Sequence, residues 1–179
     1  MQKITPFLWF DNQAEEAANF YVSIFKDSKM IRCSHYGDTG PGPKGSVMVA
    51  EFELNGQTFC ALNGGPTFKF TEAISMMVNC ESQEEVDYFW EKLTADGGQE
   101  VECGWLKDKY GLSWQVTPTK LMEYLKDEDQ AKVDRVMAEM MKMKKIDIAT
   151  LDRAAAGNNG LHFAPLAPWR NEPFQTSAS

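Results

Sequence analysis

The chain has 179 residues, of which 43% are apolar and 25% charged, with a formal net charge of −8. This length and composition are those of one globular domain. The acidic balance argues against nucleic-acid binding, which needs a basic face to displace counterions from phosphates. No apolar run is long enough to cross a membrane and no signal-peptide pattern opens the sequence, so a cytoplasmic protein without a membrane partner is expected.

The cysteine and histidine content argues against a metal site. The cysteines at positions 33, 60, 80 and 103 form no CxxC pair, and the histidines are His35 and His162. Zinc sites use clusters of such ligands at characteristic spacing, so no metal and no other cofactor is predicted. Free thiols in a reducing compartment are the default interpretation.

A buried strand and an amphipathic helix open the chain. Residues 4–10 form a mostly apolar run that ends at Asp11 and Asn12, which predicts a strand. The pair Glu15-Glu16 stands where the first turn of a helix favours negative charge. Apolar residues then recur at helical spacing, at Ala17, Phe20, Tyr21, Ile24 and Phe25.

Three strands are predicted to follow this helix, at residues 30–36, 46–54 and 58–62. Asn55-Gly56 is typical of a two-residue hairpin turn between the last two. The apolar alternation of residues 46–54 changes phase after Glu51, which predicts a bulge. The Gly/Pro-rich loop 37–45 is expected to be mobile, and its GPGPKG segment lacks the GK[ST] ending of a phosphate loop.

An internal repeat organises the first 118 residues. LWFDNQAEEAANFYVSIFKD, from Leu8, matches MVNCESQEEVDYFWEKLTAD, from Met77, at a shift of 69 positions. NGQTF (55–59) matches YGLSW (110–114) at a shift of 55, so the middle of the second unit is shorter.

The second unit repeats the order strand, helix, strands. Ser82 and Glu85 form a capping box, and Gly97-Gly98 ends the predicted helix. Strands are predicted at 100–107 and 112–117, joined by a turn at 108–111.

The last third predicts helices and then a tail. Asp127 and Gln130 resemble a capping box. An apolar stripe at helical spacing follows, at Val133, Val136, Met137, Met140 and Met141. The predicted helix either closes the core or covers a subunit interface or cavity mouth. A short helix is predicted at 148–156. Residues 158–179 have no period and are predicted to be an irregular tail, with Phe163 or Trp169 docking on the domain.

Two tandem βαβββ units resemble the vicinal-oxygen-chelate (glyoxalase/bleomycin-resistance/dioxygenase) superfamily. TPFLWFDNQAEEAANFYVSIF, ALNGG, KYGLSWQVTP and MKMKKIDIATLDRAAAG are similar to its PhnB-like group, often labelled 3-demethylubiquinone-9 3-methyltransferase. The resemblance implies an α+β fold, with two tandem βαβββ modules forming a cupped mixed sheet plus C-terminal helices. It implies a single domain at 1–157, with module one at about 2–66, module two at about 70–119 and C-terminal helices at about 120–157.

The methyltransferase label does not fit the sequence pattern. S-adenosylmethionine enzymes of the common fold need a parallel sheet and a Gly-rich turn that opens a helix. Here the glycines stand in hairpins and loops, and no alternating βα pattern is present. Methyl transfer is therefore not expected, and whether the chain is an enzyme stays open.

In the resembled superfamily, metal ligands come from the first and last strands of each module. The internal alignment places the first-strand positions at Thr5 and Ile74, or at Ser75 if the register slips by one. The last-strand positions are Cys60 and Gln115. An amide binds divalent metals weakly and a thiolate suits a soft metal, so these four positions predict no metal.

Strand alternation predicts what lines the cup instead, because side chains at i and i+2 share a face. With Ile74 inward, Met76 and Val78 are inward too. The predicted lining is Thr5, Phe7, Trp9, Cys60, Met76, Ser113 and Gln115. Such a cavity suits a flat or hydrophobic small molecule. The alternative is a barrel filled by its own side chains, without a cavity.

Several further residues have two interpretations. Cys60 is either a nucleophile or an inert half-buried thiol. Trp105 and Tyr110 either rim a pocket or pack the last hairpin. Asp108 is either a general base or a turn residue. His35 is expected to be exposed or structural.

Three functions remain open from the sequence. The first is metal-free binding of a small hydrophobic or aromatic molecule in the cup. The second is a metal-dependent lyase, isomerase or dioxygenase, and the third is a structural or regulatory dimer. The resemblance implies a homodimer in each case, because superfamily cups are commonly completed between chains.

Overall fold

The computed structural model describes residues 2–157, which form two modules and three further helices. Module one comprises β1 (Phe7–Phe10), α1 (Ala14–Ile24), β2 (Lys29–His35), β3 (Val47–Leu54) and β4 (Gln57–Asn63). Module two comprises β5 (Ser75–Cys80), α2 (Gln83–Thr94), β6 (Gln99–Glu100), β7 (Trp105–Lys107) and β8 (Ser113–Pro118). The helices that follow are α3 (Thr119–Tyr124), α4 (Gln130–Met140) and α5 (Ile148–Ala155).

Each module forms one four-stranded sheet, and the two sheets share one topology. Their strand orders are β1-β4-β3-β2 and β5-β8-β7-β6. The first strand of each module pairs parallel with the last, and the other pairs are antiparallel. This arrangement confirms the predicted α+β fold of two βαβββ modules. Within residues 2–157, no helix is long and apolar enough to cross a bilayer.

Both sheets place one face on a common core. The core joins Tyr21 of α1 and Phe52 of β3 to Trp90 of α2 and Trp114 of β8. Tyr21 is fully buried, and its ring lies 5.5 Å from that of Trp114. The opposite face of each sheet is therefore turned away from the core; we call these the open faces of sheets one and two.

The predicted bulge in β3 is wrong. Ala50, Phe52 and Leu54 are buried in turn, so they alternate regularly on the core face. The register of β3 with β4 is unbroken from Val49 to Leu54. The β2–β3 ladder is irregular at two other points, with Ile31 as an extra residue in the edge strand β2 and Met48 as an extra residue near the start of β3.

The two modules do not superpose at one sequence shift. The buried helix residues Tyr21 and Trp90 correspond at the predicted shift of 69, but the buried strand residues Phe10 and Cys80 correspond at 70. The connection from β5 to α2 is one residue shorter than that from β1 to α1. Because side chains alternate along a strand, this single residue exchanges the two faces of β5.

Met76 consequently faces the core, which corrects its prediction as a cup-lining residue. Met76 pairs across the sheet with Trp114 and packs against the core. The neighbouring Val78 is buried there as well. Ser75 and Met77 take the open face, as the one-residue slip requires.

The predicted strand 100–107 is wrong, because it contains a tight turn. Trp105 N donates to Glu102 O over 3.1 Å, and Cys103 and Gly104 have φ values of 61° and 82°. Residues other than glycine and asparagine rarely adopt such φ values, so Cys103 gave no signal of a turn. The turn replaces the long loop 37–46 of module one, which explains the shorter second unit.

The C-terminal helices dock on module two. The backbone N–H groups of Cys103 and Gly104 donate to the carbonyls of Met143 and Lys144, each over 2.7 Å. The Gln83 side chain, at the start of α2, bonds the backbone of both Ile146 and Ile148. Buried Leu121, Val136, Ile146, Leu151 and Ala154 form the helices' own core.

Of the two predicted capping boxes, one is confirmed and one is wrong. The capping box at Ser82 is confirmed, since its side chain accepts from Glu85 N over 3.3 Å. The box at Asp127 is wrong, because α4 is capped by Asp129, which accepts from the first-turn N–H groups. Asp127 pairs with Lys132 instead. The predictions for Phe163 and Trp169 lie outside the described residues.

Loop 37–45 packs against module one. Gly40 and Gly42 lie so close to the Tyr36 ring that an added Cβ would overlap it. Tyr36 is buried, and its hydroxyl donates to Asn63 O. The Asn63 side chain accepts from Ala14 N at the start of α1 and donates to Val47 O. These contacts join the loop to the end of β4.

Candidate functional site

The open face of sheet one carries an aromatic wall beside a thiol. Phe7 of β1 lies opposite Cys60 of β4, and Trp9 lies opposite Leu62. Phe7 is 59% exposed although it is a large apolar side chain on a regular strand. Phe7 therefore presents an apolar ring to solvent on this face.

Trp9 is held in one orientation. Its indole Nε1 donates to Gly65 O over 2.8 Å, and the Phe68 ring meets it edge-on at 5.0 Å. The indole lies so near the backbone of Gly64 that a Cβ there would overlap the ring. The glycine pair that follows β4 therefore makes room for Trp9 and supplies its hydrogen-bond acceptor.

The charges on this face are paired within the sheet. Arg32 Nε donates to Glu51 Oε2 over 2.6 Å, and Lys29 lies 3.5 Å from Glu53. Cys60 is the cross-strand neighbour of Glu51. Burial and the Glu51 carboxylate raise the pKa of the Cys60 thiol, and Arg32 opposes them. The thiol form therefore predominates at neutral pH, which disfavours Cys60 as a nucleophile.

The open face of sheet two is more polar. Gln115 Nε2 donates to Ser75 Oγ over 2.9 Å, and Met77, opposite Gln115, is 46% exposed. Ser113 is 1% exposed, and its hydroxyl has no hydrogen-bond partner among residues 2–157. This face offers the Gln115 amide and the Ser75 hydroxyl to a ligand, beside the exposed thioether of Met77.

The structure divides the predicted lining between two surfaces of the chain. Phe7, Trp9 and Cys60 lie on sheet one, whereas Ser113 and Gln115 lie on sheet two. Thr5 precedes β1 and is half-buried, and Met76 belongs to the core. Because the open faces are turned away from the shared core, one chain does not enclose a ligand between them.

The donors at the four metal positions that the family resemblance implies do not fit a divalent ion. The strand shift of 70 pairs Thr5 with Ser75, and the last strands supply Cys60 and Gln115. These are two hydroxyls, a protonated thiol and one amide, so the four positions supply no carboxylate and no imidazole. Among residues 2–157, no three His, Cys, Asp or Glu side chains converge as a metal site would require.

Asp108 is the residue whose role the sequence analysis missed. Its Oδ1 accepts from the backbone N–H groups of Tyr110 and Leu112, as predicted for a turn residue. Its Oδ2 accepts from Tyr21 Oη and Trp114 Nε1, each over 2.8 Å. Asp108 is 3% exposed and therefore joins the two modules rather than facing a solvent cavity. Burial raises its pKa, and the four hydrogen bonds oppose that rise.

Of the remaining candidates, Tyr110 packs between the modules. Its ring lies 5.8 Å from that of Phe10 and 5.9 Å from that of Phe20, and its hydroxyl donates to Glu16 over 2.6 Å. Trp105 is half-buried on the open face of sheet two, opposite Gln115. His35 is exposed at the end of β2, as expected.

Comparison with known proteins identifies a family to which this chain is similar. A family profile described as 3-demethylubiquinone-9 3-methyltransferase matches residues 2–117. A putative 3-demethylubiquinone-9 3-methyltransferase, PhnB protein, from Bacillus cereus is 44% identical, and the match covers 65% of this chain and 99% of that one, with a TM-score of 0.60. No curated protein sequence matches the chain.

More distant solved structures also align with this chain. Protein PA1353 from Pseudomonas aeruginosa is 21% identical, with a TM-score of 0.55 over 66% of this chain and 98% of that one. The fosfomycin resistance protein FosX from Listeria monocytogenes is 16% identical, with a TM-score of 0.46 over 66% and 93%. The profile match and the Bacillus cereus relative show that the chain belongs to the PhnB-like 3-demethylubiquinone-9 3-methyltransferase family.

Proposed function

We propose that this protein binds a small hydrophobic or aromatic molecule, without a metal, in a cup that two copies of the chain complete. The observation that carries the proposal is the fixed, half-exposed aromatic wall of Phe7 and Trp9 on one open face. The other open face supplies the Gln115 amide and Ser75 hydroxyl as polar partners. Pockets of this composition bury flat ligands and orient them with one or two hydrogen bonds.

The strand edges support a second copy as the missing half. β1 and β5 are edge strands, so each presents unpaired backbone groups along one side. Exposed apolar side chains lie on or beside both strands, namely Phe7, Ile74 and Met77. A twofold dimer that brings sheet one of one copy against sheet two of the other covers these groups and encloses two cups.

Methyl transfer is not part of this proposal, despite the family's description. The common S-adenosylmethionine fold uses one parallel sheet with helices on both faces. Both sheets here are mixed, and parallel pairing is confined to β1 with β4 and β5 with β8. The name of the family therefore supplies no mechanism for this chain.

Ligand binding is tested by thermal unfolding of the full chain with flat aromatic compounds such as 1-naphthol and indole. We expect a ligand at 100 times its Kd to add about 2.7 kcal/mol to the free energy of unfolding. Gln115→Leu removes the amide at similar volume and is expected to weaken binding about tenfold. Gln99→Leu, on the exposed strand β6, is the matched control and leaves the affinity unchanged.

The same samples test the dimer. Light scattering of the free protein is expected to give twice the chain mass. A monomer, or a panel of flat ligands without any thermal shift, contradicts the two-copy cup.

A metal assay separates binding from metal-dependent catalysis. We expect plasma mass spectrometry of the untagged protein to find no stoichiometric metal, because the four ligand positions carry poor donors. Titration with Zn²⁺, Mn²⁺, Fe²⁺ or Ni²⁺ is expected to leave the unfolding temperature unchanged. One metal per chain, or clear stabilisation by one of these ions, overturns the metal-free proposal and favours an enzyme.

A further inference from the structure

The internal repeat provides a template for a second site. The hairpin of β7 and β8 crosses to the other module and reaches α1, where Lys109 and Tyr110 contact Phe20 and Glu16. The hairpin of β3 and β4 faces α2 across a cavity that residues of both elements line. At the shift of 69 for the helices, Glu16 corresponds to Glu85, and Phe20 corresponds to Phe89.

The site at α1 is filled. The Tyr110 ring packs edge-on against Phe10 and Phe20, and its hydroxyl donates to Glu16 Oε1 over 2.6 Å. The Lys109 ammonium lies 3.3 Å from the same carboxylate and 4.9 Å above the Phe20 ring. An acid and a ring on α1 thus hold a phenol and an ammonium from the hairpin.

The equivalent site at α2 is a groove. The β3–β4 turn is one residue shorter than the β7–β8 turn, because Glu53 pairs with Thr58 as Lys107 pairs with Ser113. Asn55 and Gly56 therefore stand where the other hairpin carries Lys109, Tyr110 and Gly111. No phenol and no ammonium are therefore delivered to Glu85 and Phe89. A cavity of about 700 Å³ lies there instead, lined by Glu85 and Phe89 as well as by Asn55. We call it the hairpin groove.

The walls of the hairpin groove match an aromatic cation. Phe25 and Phe89 line it and stack on each other at 5.1 Å, which leaves an apolar wall for a flat ring. Glu84 and Glu85 line it together with one lysine, Lys26, so carboxylates outnumber the ammonium. Hydrogen bonds from the backbone and from Ser82 lower the pKa of Glu84, which keeps that carboxylate ionised at neutral pH.

We propose that the hairpin groove binds a small aromatic amine that carries a phenolic or similar hydroxyl. The ring occupies the apolar wall of Phe25 and Phe89. The ammonium pairs with the carboxylate of Glu85, as Lys109 pairs with Glu16, and the hydroxyl at the other end of the ring donates to the carboxylate of Glu84. The groove adjoins the two-copy cup, because Ser75 and Met77 of β5 line it too, but Phe25, Phe89 and Glu85 are not part of the cup lining.

The test is calorimetric titration of the full-length protein with tyramine, which joins a phenol to an ammonium. We expect a Kd on the order of 1 mM or tighter. 2-Phenylethylamine, which lacks the hydroxyl, and p-cresol, which lacks the ammonium, are expected to bind at least about fivefold more weakly. Equal affinity for all three compounds, or no binding of tyramine, overturns the proposal.

Two variants locate the binding. Glu85→Gln removes the charge and keeps the cap, because Ser82 Oγ accepts from the backbone at this position and a glutamine oxygen still accepts from Glu81 N. It is expected to weaken tyramine binding about tenfold. Glu91→Gln makes the same change on an exposed turn of α2 outside the groove and leaves binding unchanged. An unchanged affinity for Glu85→Gln overturns the assignment.

Hydrogen exchange distinguishes other occupants. Tyramine is expected to slow exchange at Asn55, Gln57 and Tyr88, which line the groove. Protection of these amides in the free protein that rises with concentration indicates a second copy in the groove. Protection independent of concentration that tyramine does not alter indicates that another part of the chain fills it. Either result overturns the proposal.

Discussion

Asp108→Asn is expected to lower the free energy of unfolding by about 3 kcal/mol. The carboxylate accepts four hydrogen bonds, two from backbone N–H groups and two from Tyr21 and Trp114. An asparagine offers one oxygen, and its amide N–H₂ must face two of these donors. Those donors and the new amide are then buried without partners. Urea unfolding of both proteins measures the loss.

Two further variants control this result. Tyr21→Phe removes one donor and leaves the other three bonds, so a loss of about 1 kcal/mol is expected. Asp38→Asn alters an exposed carboxylate paired with Lys44 and is expected to change stability by less than about 0.5 kcal/mol. If Asp108→Asn lowers the free energy of unfolding as little as Asp38→Asn does, Asp108 does not join the two modules.

The pH dependence of the Asp108 variant has a definite sign. Burial raises the Asp108 pKa, so the folded state binds a proton more readily than the unfolded state does. Between the ordinary and the raised pKa, stability from this group increases as the pH falls. The stability difference between the native protein and Asp108→Asn is therefore expected to widen with falling pH in that window.

Gly64→Ala is expected to abolish ligand binding in the cup and to destabilise the fold by about 2 kcal/mol. The added Cβ would overlap the Trp9 indole. Trp9 does not yield freely, because Gly65 O holds its N–H and Phe68 packs on its ring. Displacing the indole removes half of the aromatic wall that the proposed ligand needs. Thermal unfolding with and without 1-naphthol measures both effects.

Gly37→Ala is the matched control for this substitution. A Cβ at Gly37 meets no atom within 4 Å. Neither Gly37 nor Gly64 has a φ in the left-handed region, so backbone strain does not differ between the two variants. Gly37→Ala is expected to bind and unfold like the native protein. Equal behaviour of the two variants shows that Trp9 is mobile and that the wall is not fixed.

Most of the fold was predictable because its signals are local. The Asn55-Gly56 turn, the Ser82 capping box and the helical spacing around Tyr21 each arise from a few neighbouring residues. The turn at Cys103 was not predictable, because a cysteine with φ of 61° is held by contacts to Met143 and Lys144, 40 positions away.

The candidate site was less predictable than the fold. Which side chains of β5 face the core depends on one residue in the connection from β5 to α2. Helix periodicity carries no information about the length of that connection. Asp108 was expected to be a turn residue, and its two backbone bonds agree. Its bonds to Tyr21 and Trp114 depend on how the modules pack, which alternation within one strand does not indicate.

The hydrogen bonds that join Asp108 and Tyr110 of module two to α1 of module one have a consequence for synthesis of the chain. Tyr21 and its acceptor Asp108 are 87 positions apart, and Tyr110 and its acceptor Glu16 are 94 apart. At about 5–20 residues per second, the ribosome needs roughly 4–17 s to extend the chain from Tyr21 to Asp108. During that interval the apolar face of α1 that later meets β8 is open to water. The nascent first module therefore depends on the arrival of the second to bury that face.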